Sequence, residues 1–156
     1  MDATDIHDLP FVDAHTSIVA AAPDAVWRAV AETMDQNSDG RGTKAVARLL
    51  GCADLAARGP RPPAAGSAIP GFHVVTAVPG RELALAGSHR FSTYALVFRL
   101  EEAGPGRTRV RAESWAAFPG PAGRLYRLAV IGTGGHARGM RHILTTVRRR
   151  ALRERR

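Results

Sequence analysis

From Ala68 to Phe118 apolar and polar residues alternate through FHVVTAV, ELALAGSH, STYALVFRLE and TRVRAESWAAF. A two-residue period puts successive side chains on opposite faces of a strand. The breaks between these runs are short: Pro79-Gly80, a tight turn near Arg90, and Ala103-Gly104-Pro105-Gly106. Parallel neighbours would need crossovers of roughly a dozen residues or more, so the four strands must form an antiparallel meander. No other feature narrows the choice of fold so far.

The segments on either side read differently. HTSIVAA, from His15 to Ala21, is a β-branched run and a further strand. It ends at Ala22-Pro23-Asp24, where proline at a first helical position and an acid behind it open a helix. Val26, Trp27, Val30 and Met34 then follow at helical spacing, and Trp27 is expected in the core. Asp35 to Gly42 is a polar turn region. A short helix follows, with Thr43 as its cap and Val46, Leu49 and Leu50 on one side. RGPRPPAAGS is a loop, because its prolines can continue neither a helix nor a strand. Residues 1–10 read as a tail, 11–150 as one domain and 151–156 as a basic end.

After Pro119-Gly120-Pro121 the period changes to that of a long helix. With Gly132 at the origin and a step of about 100° per residue, Leu125, Leu128, Ala129, Gly135, His136, Gly139, Met140, Ile143 and Val147 share one face. Gly134 points away from it. The pattern runs straight through Gly132-Thr133-Gly134-Gly135, which argues against a phosphate-cradling loop; such a loop follows a strand and opens a fresh helix. Each helical glycine costs about 1 kcal/mol relative to alanine. The glycines therefore mark either a close approach of helix to sheet or space left for a ligand.

Composition excludes several classes. The chain has 156 residues, 45% of them hydrophobic, which suits one domain with a sizeable core. No apolar run approaches a membrane span. The first ten residues are acidic and unlike a signal peptide, so the expected location is cytoplasmic. Cys52 is the sole cysteine, which excludes a disulfide framework. The net charge of +8 is concentrated at the end: six arginines lie among the last nine residues, RRRALRERR. They suit a solvated helix C-terminus. No aromatic residue lies between them to stack on bases, so no specific nucleic-acid partner is expected.

Three segments carry a resemblance: SIVAAAPDAVWRAV, the PGRELALAGSHRFSTYALVFRLE hairpin, and RAESWAAFPG running into GRLYRLAVIGTGGH. Together with the element order they resemble the START-like (SRPBCC) superfamily of lipid-transfer domains, polyketide cyclases and ligand carriers, in a subgroup of unknown function. The resemblance spans nearly the whole chain. It implies an α+β helix-grip fold: a curved antiparallel sheet wrapped around a long C-terminal helix, with two short helices after the first strand. It also implies an apolar cavity between sheet and helix.

Alternation supplies the candidate lining. Tyr94, Leu96, Phe98 and Leu100 share one face of their strand, and Val110, Ala112, Ser114, Ala116 and Phe118 one face of theirs. Leu83, Leu85, Gly87 and His89 join them. From the helix come Tyr126, Gly132, Gly135, His136 and Met140. Tyr94, Ser114, Tyr126 and His136 could orient a ligand in such a pocket. His136 and Tyr94 are the candidate acid–base residues, although no carboxylate can be placed beside His136 from the sequence. Glu113 falls on the outer face and is expected to be solvated. His73, His89 and His136 lie on different elements without ligand spacing, so neither metal nor cofactor is expected.

Three functions compete on this reading. The first is binding of a small hydrophobic molecule, such as a lipid, an aromatic or a polyketide-like compound, by a monomer or homodimer. The second is a cyclase, aromatase or dehydratase using the same cavity. The third is an interaction or nucleic-acid module built on the arginine-rich end.

Overall fold

The structure, a computed structural model, describes residues 3–38 and 40–155. Its strands are β1 (Phe11–Val19), β2 (Ala68–Ile69), β3 (Phe72–Val78), β4 (Glu82–His89), β5 (Ser92–Glu102) and β6 (Thr108–Ala117). They form one antiparallel sheet in the order β1-β6-β5-β4-β3-β2. The meander runs from β2 to β6, and β1 closes the far edge against β6, with Ser17 opposite Val110 and Asp13 opposite Ser114. The helices are α1 (Ala3–Ile6), α2 (Pro23–Ser38), α3 (Arg41–Leu50), α4 (Gly120–Arg127) and α5 (Gly135–Arg153). The fold is α+β, a curved sheet holding a long C-terminal helix.

The inner face of the sheet is filled unevenly. At one end, Leu83, Leu85, Phe98, Leu100, Val110 and Ala112 meet Val26, Val30 and Met34 of α2 and Leu144, Val147 and Ala151 of α5. Trp27 is buried there, and its indole Nε1 donates to the Glu82 carbonyl at 3.0 Å. At the other end the sheet presents Gly87, His89, Tyr94, Ser114 and Ala116, and the helices fill less of the space.

The elements differ from expectation in several places. β1 begins at Phe11, four residues before the β-branched run, and so brings Asp13 onto the inner face. α2 continues past Met34 to Ser38, with Asp35 paired to Arg61 at 3.0 Å and Gln36 accepting from Arg150 on the way. Thr43 does not cap α3: Gly40 occupies the cap position, and the Thr43 hydroxyl donates to the Asn37 carbonyl at 3.0 Å. The N-terminal segment carries the short helix α1, whose Ile6 is buried over Ala84, Ala86, Ala95 and Val97 on the outer face. Those four residues are too small to be covered by their own neighbours. Glu113 also departs from expectation. It lies on the outer face but is buried, held by Arg111 Nε at 3.0 Å, Arg99 Nε at 3.3 Å and the Trp115 indole at 3.3 Å.

The last helix is not continuous. α4 runs into a π-helical turn, Leu128–Gly132, and α5 starts afresh behind Gly134, whose φ is +79°. A side chain rarely adopts that conformation, so glycine is the residue that permits the break. A wheel drawn through it mixes two helices. Leu125 and Leu128, expected inside, are 69% and 65% exposed. Gly132 and Gly135 are exposed too, and neither lines the pocket beside the sheet. The basic end is not a free tail. Ala151 is buried, Arg150 reaches Glu32 at 3.6 Å and Gln36, and Glu154 meets Arg28 at 3.3 Å, which fastens α5 to α2.

Candidate functional site

Where the inner face is left unfilled, a pocket of about 420 Å³ opens between β4–β6, the first turns of α5, α3 and α4. Its occupants from the sheet are His89, Ser92, Tyr94, Leu96, Ser114 and Ala116; α5 adds His136, Gly139 and Met140. Tyr126, Val130 and Ile131 come from the segment before α5, and Val46, Ala47, Leu50 and Cys52 from α3 and the turn behind it. Among the described lining residues there is no Asp, Glu, Lys or Arg. Of the residues expected here, His89, Tyr94, Leu96, Ser114, Ala116, Tyr126, His136 and Met140 are brought together. Leu83, Leu85, Phe98 and Ala112 belong instead to the filled half of the core.

The pocket has two polar corners. In the first, His136 Nε2 lies 2.9 Å from Ser114 Oγ and 3.3 Å from Asp13 Oδ1. The second oxygen of Asp13 lies 3.1 Å from His15 Nε2. An ionised carboxylate only accepts, so both imidazoles present Nε2–H to it. Ser114 Oγ then accepts from His136, and its own O–H is left to donate into the pocket. A nucleophilic triad needs the hydroxyl and the carboxylate on opposite ring nitrogens. Here one nitrogen meets both, so Ser114 is not activated in that way. Sequence reasoning missed Asp13 and His15. Their alternation with Ser17 and Val19 along β1 was a usable signal, once that strand is extended back to Phe11.

The second corner is aromatic. The Tyr94 hydroxyl donates to the Gly71 carbonyl at 2.5 Å, and its ring meets Phe72 edge-on with centroids 5.3 Å apart. Burial holds the phenol well above its ordinary range, and the neighbouring Cys52 adds to this. Burial likewise pushes up the Cys52 thiol and the Tyr126 phenol. His89 packs edge-on against Tyr126, centroids 4.8 Å apart, and its Nδ1 accepts the Phe91 N–H at 3.1 Å. That bond selects the neutral ring with its proton on Nε2, and burial lowers the His89 pKa in the same direction. Ser92, beside His89 in the β4–β5 register, is 3% exposed, and its hydroxyl has no partner among the described residues. A buried hydroxyl without a partner is uncommon.

A sheet curled about one long helix, with a hollow left between them, is the helix-grip fold. Solved structures share it. TTHA0849 from Thermus thermophilus aligns at a TM-score of 0.55 and 15% identity, over 93% of this chain and 99% of its own. Ara h 8.0201 aligns at a TM-score of 0.55 and 10% identity, over 90% and 96%. The protein MLL2253 from Mesorhizobium loti aligns at 0.53 and 15%, over 90% and 98%. At such identities the likeness is one of fold. No family model matches the chain, and no curated protein sequence matches it. No described helix is long and apolar enough to cross a membrane.

Proposed function

We propose that this chain is a START-like (SRPBCC) ligand carrier that binds a small hydrophobic molecule carrying one or two uncharged polar groups. The observation that carries this reading is the pocket lining: apolar, without a charged side chain, yet containing the unpartnered Ser92 hydroxyl. Apolar surface supplies affinity and a few placed polar groups set orientation. The Ser114 O–H suits a carbonyl or ether oxygen at one end, and Ser92 with His89 suits a hydroxyl or carbonyl at the other. A full negative charge would have only imidazoles to meet it.

The test is native mass spectrometry of freshly purified protein, combined with titration of an apolar fluorescent probe. A co-purifying neutral small molecule, or saturable probe binding lost on Ser92→Leu, supports the reading. A protein that carries no molecule and binds no apolar probe overturns it.

One observation favours a second reading, an enzyme of the cyclase or dehydratase kind. Asp13 holds a proton on His136 Nε2, which leaves Nδ1 as the basic nitrogen of a carboxylate-supported imidazole. Such a dyad could take a proton from an enolisable ligand. Turnover of a bound ketone that His136→Gln abolishes, with affinity retained, would favour it over the carrier.

A further inference from the structure

Four large apolar side chains are exposed on the two helical segments that contribute to the pocket wall. Leu49 is 76% exposed and Val46 54%, on α3; Leu125 and Leu128 belong to α4 and the turn behind it. α3 and α4 flank one rim, because both are tied to the β4–β5 turn. The Arg90 N–H donates to the Leu50 carbonyl at 3.1 Å, and Tyr126 stacks on Phe91 with centroids 5.6 Å apart. Exposed apolar groups on separate elements around one opening mark an interaction surface.

The charges interleaved with them have one sign. Arg41 and Arg48 on α3, and Arg124 on α4, have no ion pair among the described residues. Arg127 lies 6.0 Å from the centre of the Phe118 ring and likewise meets no carboxylate there. A second copy of the chain would bring the same arginines face to face, at a net charge of +8 per chain. A nucleic acid would satisfy the arginines but leave the leucines in water. Leucines that enter an acyl layer while arginines stay at the headgroups are the pattern of interfacial binding.

We propose that this rim docks on an anionic lipid bilayer, leucines inserted and arginines on the headgroups, so that the pocket opens towards the membrane. The inference goes beyond the ligand reading and does not depend on it, since vesicle binding is read without any cargo.

The test is co-sedimentation of the full chain with phosphatidylcholine vesicles, with and without phosphatidylserine. Binding is expected to the anionic vesicles, to weaken with salt, and to be much lower on phosphatidylcholine alone. Leu49→Ser with Leu128→Ser should reduce it on the order of tenfold. Both side chains are exposed, so folding and apolar-probe binding should persist. Arg48→Glu with Arg124→Glu should reduce it as well, whereas Ile18→Ser, at an exposed position on β1, should not. Binding to neither vesicle overturns the proposal, as does binding undiminished by the leucine pair. A concentration-dependent dimer that the leucine pair dissolves, without vesicle binding, would give the rim to a second copy instead.

Discussion

Asp13 on the first strand and His136 on the last helix stand 123 positions apart in the chain, with Oδ1 of one 3.3 Å from Nε2 of the other. The contact joins the edge strand to the start of α5 beside the pocket. It both fixes the imidazole and closes the fold. Removing either partner should therefore cost stability, and removing both should cost less than the sum. A double-mutant cycle of Asp13→Asn and His136→Gln, read by denaturant unfolding, should give a coupling of ~1 kcal/mol. Strict additivity would show that the pair does not act as a unit.

Gly134 should resist substitution. A continuous helix would make Gly134→Ala a gain, but the observed φ of +79° reverses the sign. Alanine in that conformation costs about 1–2 kcal/mol, so the variant should melt earlier than wild type. A higher melting temperature would mean that α4 and α5 are one helix after all.

Of the glycines in the last helical segment, Gly139 meets the pocket, and Gly132 and Gly135 do not. A side chain added at Gly139 meets nothing within 4 Å, and the residue lines the hollow. Gly139→Leu should keep or raise stability, since it removes a poor helix former worth ~1 kcal/mol, while apolar-probe binding falls. Gly135→Leu, at the exposed start of α5, should leave probe binding as it was. Equal effects of the two on the probe would contradict this geometry.

Gly87 is fixed by close approach. A Cβ there would sit 2.2 Å from the Gly71 carbonyl oxygen and 2.7 Å from the Tyr94 ring. Gly87→Ala should cost about 1–3 kcal/mol by overpacking, and should also displace the Tyr94 hydroxyl from Gly71. Calorimetry together with Tyr94 near-ultraviolet dichroism would record both.

Acid should weaken the fold through His89. Burial lowers its pKa below the ordinary 6.5, so the unfolded chain takes up the proton first. Its contribution is therefore present above 6.5 and is lost as the pH falls from there towards the folded value. Denaturation midpoints of wild type should drop more steeply below 6.5 than those of His89→Gln, which keeps an acceptor for Phe91. Parallel curves would remove His89 from the acid response.

The meander was legible because strand periodicity needs only local alternation, and a slip of one residue would turn Leu83, Leu96 and Ala112 to the wrong face. Resemblance supplied the helix grip around it. The break at Gly134 was not legible, because a glycine in helical spacing and a glycine with positive φ are the same letter. That one ambiguity misplaced Leu125, Leu128, Gly132 and Gly135 together. Asp13 was hidden for another reason: a polar residue before a β-branched run reads as a loop until its partner on α5 is known. Glu113 was misjudged because alternation gives a face, not whether an indole and two arginine stems will cover it.

Ile6 closes the outer side of β4 and β5 at the place where the inner side carries the core. Residues 83–86 and 95–98 of the central strands are thus dry on both faces, and their amides should exchange with deuterium only when the whole molecule opens. The floor of the pocket is rigid in consequence. Motion that admits a guest has to come from the roof, where α3 is tied to the sheet by backbone bonds at Leu50 and Ala53 and α4 by the ring contacts of Tyr126. Uptake and release should accordingly be timed by the helices, while the sheet serves as a fixed template against which a guest is measured.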